Sequence, residues 1–263
     1  MTWWHADFDR WVDDTRSAYG SCFSADTRFI GADRLLKEFD SAAETWRRRR
    51  DPYPAEEKAN ELAAATALLC RLRASDVLHY EPPLKGTKKR IDFKITGGSA
   101  ETAWIEVKTV APRWEDDEKE WQRFLSMQAD APDNVHVIVN KDFGGAGITG
   151  QARKTRWSFL HRAVEVERKL KLLDASEQAS VALLLCSNGF AWSEDALEDF
   201  ADFYRTGRFR GDDWFSHAVV RFMHDRQMTL DRSLAGFHYL ERKQFEVDPH
   251  EFIPFVRGPT RGS

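Results

Sequence analysis

Between residues 76 and 110 the spacing of apolar side chains changes from the helical period to strict alternation, and this change limits what the chain can fold into. Val77-Leu78-His79-Tyr80 ends at Pro82-Pro83, Arg90-Ile91-Asp92-Phe93-Lys94-Ile95 closes at Gly97-Gly98, and Trp104-Ile105-Glu106-Val107-Lys108-Thr109-Val110 closes at Pro112. Alternation over four to eight residues between turn signals predicts strands, and three in succession predict an antiparallel meander. Upstream the pattern is helical. Leu35, Leu36 and Phe39 recur at helical spacing until Arg47-Arg48-Arg49-Arg50 and Asp51-Pro52-Tyr53-Pro54 stop the helix. A second helix is predicted from near Ala55 to about Leu72, with Glu56 and Glu57 in its first turn and Arg71 and Arg73 at its end, the charge order that a helix dipole favours.

Beyond Pro112 strands and helices are expected to alternate. Residues 116–129 read as helix, Val135–Val139 as an apolar strand containing His136, residues 151–173 as helix, and Val181–Cys186 as a second apolar strand. Apolar runs joined by helices fit strands covered on both faces in a parallel arrangement. Phe159, Ala163, Val166, Leu170 and Leu173 form a stripe expected to be buried. The expected fold class is α/β: residues 1–53 a helical decoration, 54–190 the core and 191–263 a C-terminal extension, forming one compact domain.

Composition narrows the function. Ten Trp and eighteen Phe in 263 residues exclude a solvated coil. No run of roughly 20 apolar residues could span a bilayer, and Met1-Thr-Trp-Trp-His-Ala-Asp lacks the basic lead and apolar run of a secretory signal. Cys22, Cys70 and Cys186 have neither disulfide nor zinc spacing, so a cytoplasmic protein with no membrane partner is expected. With 39 Lys and Arg against 43 Asp and Glu, the net charge is −4, so a polyanion would need a local basic patch. Lys85, Lys88, Lys89 and Arg90 form one such patch, and residues 150–171 hold another with Arg153, Lys154 and Arg156 at its start. Arg47–Arg50 and Arg205, Arg208 and Arg210 add two more.

The chemistry-bearing pattern lies on the second and third alternating segments. Ile91, Phe93 and Ile95 are expected to face the core, which turns Arg90, Asp92 and Lys94 the other way; Glu106 and Lys108 share one face of the next strand. If the strands are neighbours, Asp92 and Glu106 lie about 5 Å apart across the ladder. Two carboxylates so close repel, and a divalent cation between them relieves this. Oxygen ligation suits Mg²⁺ or Mn²⁺, with Lys108 beside it to act on a water or a phosphate.

An Asp at a strand end, followed after thirteen residues by Glu106-Val107-Lys108, resembles the PD-(D/E)xK nuclease superfamily, the restriction-endonuclease-like fold, over roughly residues 54–140. Ile91 stands where the family often has proline. The resemblance implies a core of helix, three-strand meander, helix and strand. It also implies a Mg²⁺-dependent endonuclease acting on DNA, with RNA open as a substrate. Asp92, Glu106 and the Val107 main-chain carbonyl would bind the metal, Lys108 would assist the water, and a helix acid would join them, Glu61 before Glu57. Whether two chains pair as a homodimer stays open.

Other readings compete. The same scaffold could serve as a nucleic-acid-binding module without catalysis. Gly145-Ala-Gly147-Ile-Thr-Gly150 matches the dinucleotide-binding pattern, but Lys141 to Gly144 intervene between it and the preceding strand, where a tight turn is required, and no acid closes a strand about twenty residues on. The histidines show no H-x-H or H-E-x-x-H pairing, and no G-x-S-x-G occurs. Trp114, Trp157 and Trp214 are candidates for stacking a base.

Overall fold

The computed structural model describes residues 4–84, 89–97, 103–109, 148–173, 181–187, 194–209, 217, 220–221, 223–225, 227–242, 246–250 and 253–257. Helices α1 (Trp4–Ser24), α2 (Ala32–Arg49) and α3 (Tyr53–Leu69) precede the meander, with the two-residue strand β1 (Phe29–Ile30) between the first two. The meander consists of β2 (Asp76–Tyr80), β3 (Phe93–Gly97) and β4 (Ala103–Thr109). Then come α4 (Ile148–Leu170), β5 (Val181–Ser187), α5 (Glu194–Thr206), β6 (Gly236–Glu241) and β7 (Ile253–Arg257). The stretches expected as helix 116–129 and strand Val135–Val139 lie outside the described residues, as do Gly145, Gly147, Trp114 and Trp214; Gly150 falls within α4.

The strands form one seven-stranded sheet in chain order, β1 to β7. β3 runs antiparallel to both β2 and β4, the meander that the alternation predicted. β4 runs parallel to β5 and β5 to β6, as apolar runs separated by helices require. β1 lies parallel to β2, and β7 antiparallel to β6. The sheet therefore draws on both ends of the chain, and the fold is mixed α/β.

Side-chain alternation along the central strands supplies two cores. Ile105, Val107, Leu184 and Cys186 pack with α1, α2 and α3 on one face, while Trp104, Leu183 and Leu185 pack with α4 and α5 on the other. The stripe Phe159, Ala163, Val166, Leu170 and Leu173 is buried against that second face, as its spacing predicted. Phe200 of α5 fills the gap, 5.5 Å from Phe159 and 5.4 Å from Phe237 in β6, ring centre to ring centre. Cys22 and Cys70, at the ends of α1 and α3, flank His250 with sulfurs 4.0 and 3.9 Å from its ring nitrogens, so the C-terminal segment meets the first helical layer. The three cysteines are free, and no described helix is long and apolar enough to cross a membrane.

Two details differ from the periodic reading. Ile91 does not share the face of Phe93: it packs with the α4 core, and Phe93 with the α3 core. The strand begins only at Phe93; just beyond it Glu81, at φ 41°, donates its N–H to the Asp92 carbonyl at 2.7 Å. The Arg47–Arg50 run is exposed, and two of its members also tie helices together. Arg47 pairs with Asp13 at 2.8 Å and Arg50 with Asp9 at 3.4 Å, stitching α2 to α1. Arg50 also ends α2 in the left-handed conformation, its N–H on the Trp46 carbonyl.

Gly31 opens α2 at φ 94°, and a β-carbon there would stand 3.1 Å from Tyr80 Cβ and 3.3 Å from the Tyr80 carbonyl oxygen. Gly31→Ala is expected to destabilise the protein by about 1–2 kcal/mol, from left-handed strain at a β-carbon. Urea unfolding measures it, and unchanged stability would contradict the account.

Candidate active site

β4 places Glu106 and Lys108 on the face covered by α4, and the β3–β4 register, with Phe93 opposite Ile105, sets Asp92 one step further along opposite Glu106. The half-buried Asp92 accepts the Val107 N–H at 2.7 Å through Oδ2, so the carboxylate itself continues the ladder where the strand has not yet begun. The Glu106 side chain is fully buried, whereas alternation on a half-solvated strand would have left it in water. Its Oε1 meets Lys108 Nζ at 3.0 Å and also Lys169 Nζ from α4. Its Oε2 is buried with no hydrogen-bond partner among the described residues. A buried carboxylate oxygen left unpaired is costly and is unexpected in a structural ion pair.

The ionic chain continues outward. Lys108 Nζ also lies 3.2 Å from Glu165 Oε1, Glu165 Oε2 pairs with Arg162 at 3.2 Å, and Arg162 donates to the Tyr53 hydroxyl at 3.1 Å. Arg162, Glu165 and Lys169 stand at i, i+3 and i+7 of α4, one polar face beside the apolar stripe. Sequence reading counted these residues only within a basic stretch. The available signal was this helical spacing, but nothing local linked it to Glu106, 63 positions away from Lys169.

Glu61 lies on the α3 side of the sheet. Its carboxylate takes Lys58 Nζ at 3.0 and 2.9 Å and lies 2.8 Å from the Tyr80 hydroxyl. Glu38 shares both partners, at 2.9 Å from Lys58 and 2.8 Å from Tyr80. Burial raises the Glu61 carboxyl above the usual range despite Lys58 and Tyr80. Glu57 stands at the start of α3 beside the Tyr53 hydroxyl, whose pKa is raised first by burial and then by Glu57. Between the two helix acids, Glu61 is the one whose charge reaches Asp92.

Of the expected nucleic-acid contacts, Lys89 and Arg90 are exposed immediately before Asp92, and Arg90 lies 3.6 Å from a Glu81 carboxylate oxygen. Lys85 and Lys88 fall outside the described residues. Arg153, Lys154 and Arg156 fall in the first turns of α4, their side chains, like that of Trp157, outside the description.

The electrostatics follow from crowding. Asp92 is pushed well above the carboxylate range by burial first, then by Glu106 and Glu61, and Lys108 and Lys169 offset this only in part. Burial alone would lower Lys108, but Glu106, Asp92 and Glu165 outweigh it and hold the ammonium above the usual lysine range. Glu165 stays below the carboxylate range because Lys108 and Arg162 outweigh its burial.

Among the described residues no three His, Cys, Asp or Glu side chains form a ready-made metal cage. The donors present fit a hard cation held by few protein oxygens and by water: a carboxylate made unfavourable by its acidic neighbours, and an unpartnered buried oxygen on Glu106. Comparison with family models, with curated proteins and with solved structures finds no match for the chain.

Because Asp92 keeps its proton to higher pH in the folded chain than in the unfolded one, stability falls as pH rises from the ordinary Asp pKa toward the raised value. Asp92→Asn retains an oxygen for the Val107 N–H. Without divalent ions at about pH 7.5 it is expected to melt above the parent protein, by roughly 2–4 °C for each kcal/mol relieved. The difference should shrink toward about pH 4, the ordinary Asp range. Calorimetric melting across this span measures it, and an Asn variant melting lower at pH 7.5 would refute the electrostatic account.

Proposed function

We propose that the chain is a divalent-metal-dependent nuclease that hydrolyses phosphodiester bonds in DNA. The observation that carries this reading is Glu106, buried and paired with Lys108, with one oxygen lacking a partner among the described residues, on the strand whose Val107 N–H is held by Asp92. The order α3, β2–β3–β4, α4, β5, with an antiparallel meander and a parallel final strand, resembles the PD-(D/E)xK core and supports the same reading.

In this proposal Asp92, Glu106 and the Val107 carbonyl hold Mg²⁺ or Mn²⁺. When bound, the ion would polarise a phosphate oxygen and lower the pKa of a coordinated water. Asp92 Oδ2 accepts the Val107 N–H, which orients the carboxylate for the task. Lys108, fixed between Glu106 and Glu165, orients the attacking water and balances charge developing on the phosphate. Neutralising Asp92 and Glu106 removes two of the three charges that raise the Lys108 pKa, bringing its ammonium closer to proton exchange. Glu165, in contact with Lys108 and 45% exposed, provides a route for that proton to solvent. Glu61 adds negative charge on the other side of Asp92 and favours cation binding. Exposed Lys89 and Arg90 stand next to Asp92 and suit a DNA backbone.

Incubating the purified protein with supercoiled and linear DNA and Mg²⁺ or Mn²⁺ is expected to give cleavage that EDTA suppresses. Asp92→Ala, Glu106→Gln and Lys108→Ala should each reduce it by about a hundredfold or more, with circular dichroism unchanged. A fully active Asp92→Ala protein would end the assignment. DNA retained without cleavage under any divalent ion would instead favour a binding module on the same scaffold.

A further inference from the structure

We infer that Lys169 is an internal counter-ion that occupies the carboxylate site when no divalent ion is bound and must leave Glu106 for the ion to enter. This rests on the metal-dependent reading of the site and adds how loading is regulated. Among the described residues one Glu106 oxygen meets two ammonium groups, Lys108 and Lys169, and Lys108 is shared with Glu165. A dication entering here adds two charges next to those ammonium groups, so at least one of them must withdraw.

The geometry selects Lys169. Lys108 projects from the central strand, is 15% exposed, and is held by both Glu106 and Glu165. Lys169 stands in the last turn of α4, is 24% exposed, and pairs with Glu106. Its four-carbon stem can swing toward solvent without moving the backbone, whereas withdrawing Lys108 would break two ion pairs. Metal affinity is then set by competition between the ion and a lysine supplied by the helix that covers the site.

Binding of Mn²⁺ to the full-length chain, followed by the electron paramagnetic resonance of free Mn²⁺, tests this without DNA. Lys169→Met should bind Mn²⁺ about tenfold tighter than the parent protein, the effect of removing a competing charge at a ligand oxygen. Lys169→Arg, which keeps the charge, should bind like the parent. Lys171→Met, removing a charge that lies just past the end of α4 and pairs with Asp231, should also leave affinity unchanged. Lys169→Gln repeats the test should the Met variant fold poorly. Unchanged or weaker binding in Lys169→Met, or equal tightening in Lys171→Met, overturns the inference. Asp92→Ala separates the two levels. If it weakens Mn²⁺ binding while Lys169→Met changes nothing, only the Lys169 role fails; if it leaves binding intact, the metal site itself fails, and the Lys169 role with it.

Discussion

A carboxylate without solvent contact in the middle of a sheet has to be compensated, and Glu106 is such a group. Its neighbours on β4 are covered on both faces, so water cannot supply the compensation. It comes instead from Lys108 on the same strand and Lys169 on α4. This requirement ties the polar face of α4 to the strand that carries the proposed chemistry. The apolar stripe of that helix sets how closely α4 approaches, and Arg162, Glu165 and Lys169 fill the ionic seam beside it.

The sheet separates two charged networks. On the α4 side run Tyr53, Arg162, Glu165, Lys108, Glu106 and Lys169. On the α3 side Glu38, Lys58 and Glu61 gather around the Tyr80 hydroxyl. A single hydroxyl proton cannot serve both carboxylates, so Lys58 holds the pair together. Asp92 lies where both fields overlap, raised by Glu106 from one side and Glu61 from the other. Further along β4, Thr109 accepts from Asn60 at 3.0 Å, and Asn60 in turn accepts from the buried Arg242 at 3.2 Å. That neutral and singly charged chain is satisfied, whereas the site end keeps an oxygen unpaired among the described residues and a crowded acid. Unfavourable local chemistry surrounded by well-satisfied structure is the pattern expected where stability yields to function.

Much of this was readable in the chain. Alternation located β2 and β4 to within a residue or two, and the unbroken Val181–Cys186 run announced a strand covered on both faces. The five-residue stripe of α4 was buried as its spacing required. Asp92, Glu106 and Lys108 were visible as a set because strand period two is a local property and nearby strands pair in order. Other features were not readable. Ile91 and Phe93 looked equivalent by period, but Ile91 precedes the strand, and the two enter opposite cores. The aspartates that pair with Arg47 and Arg50 lie on another helix, out of reach of any local pattern.

The order α3, β2, β3, β4, the apolar strand β5 and the placing of Glu106 and Lys108 on one face of β4 follow from the sequence alone, since each depends on periodicity or on residues a few positions apart. The full burial of Glu106, the entry of Lys169 and Glu165 into its surroundings and the overlap of two acidic fields on Asp92 arise only when α3 and α4 dock on opposite faces of the sheet. Desolvation and Coulomb energy depend on distance through space and on what excludes water, and neither quantity exists until the layers have closed.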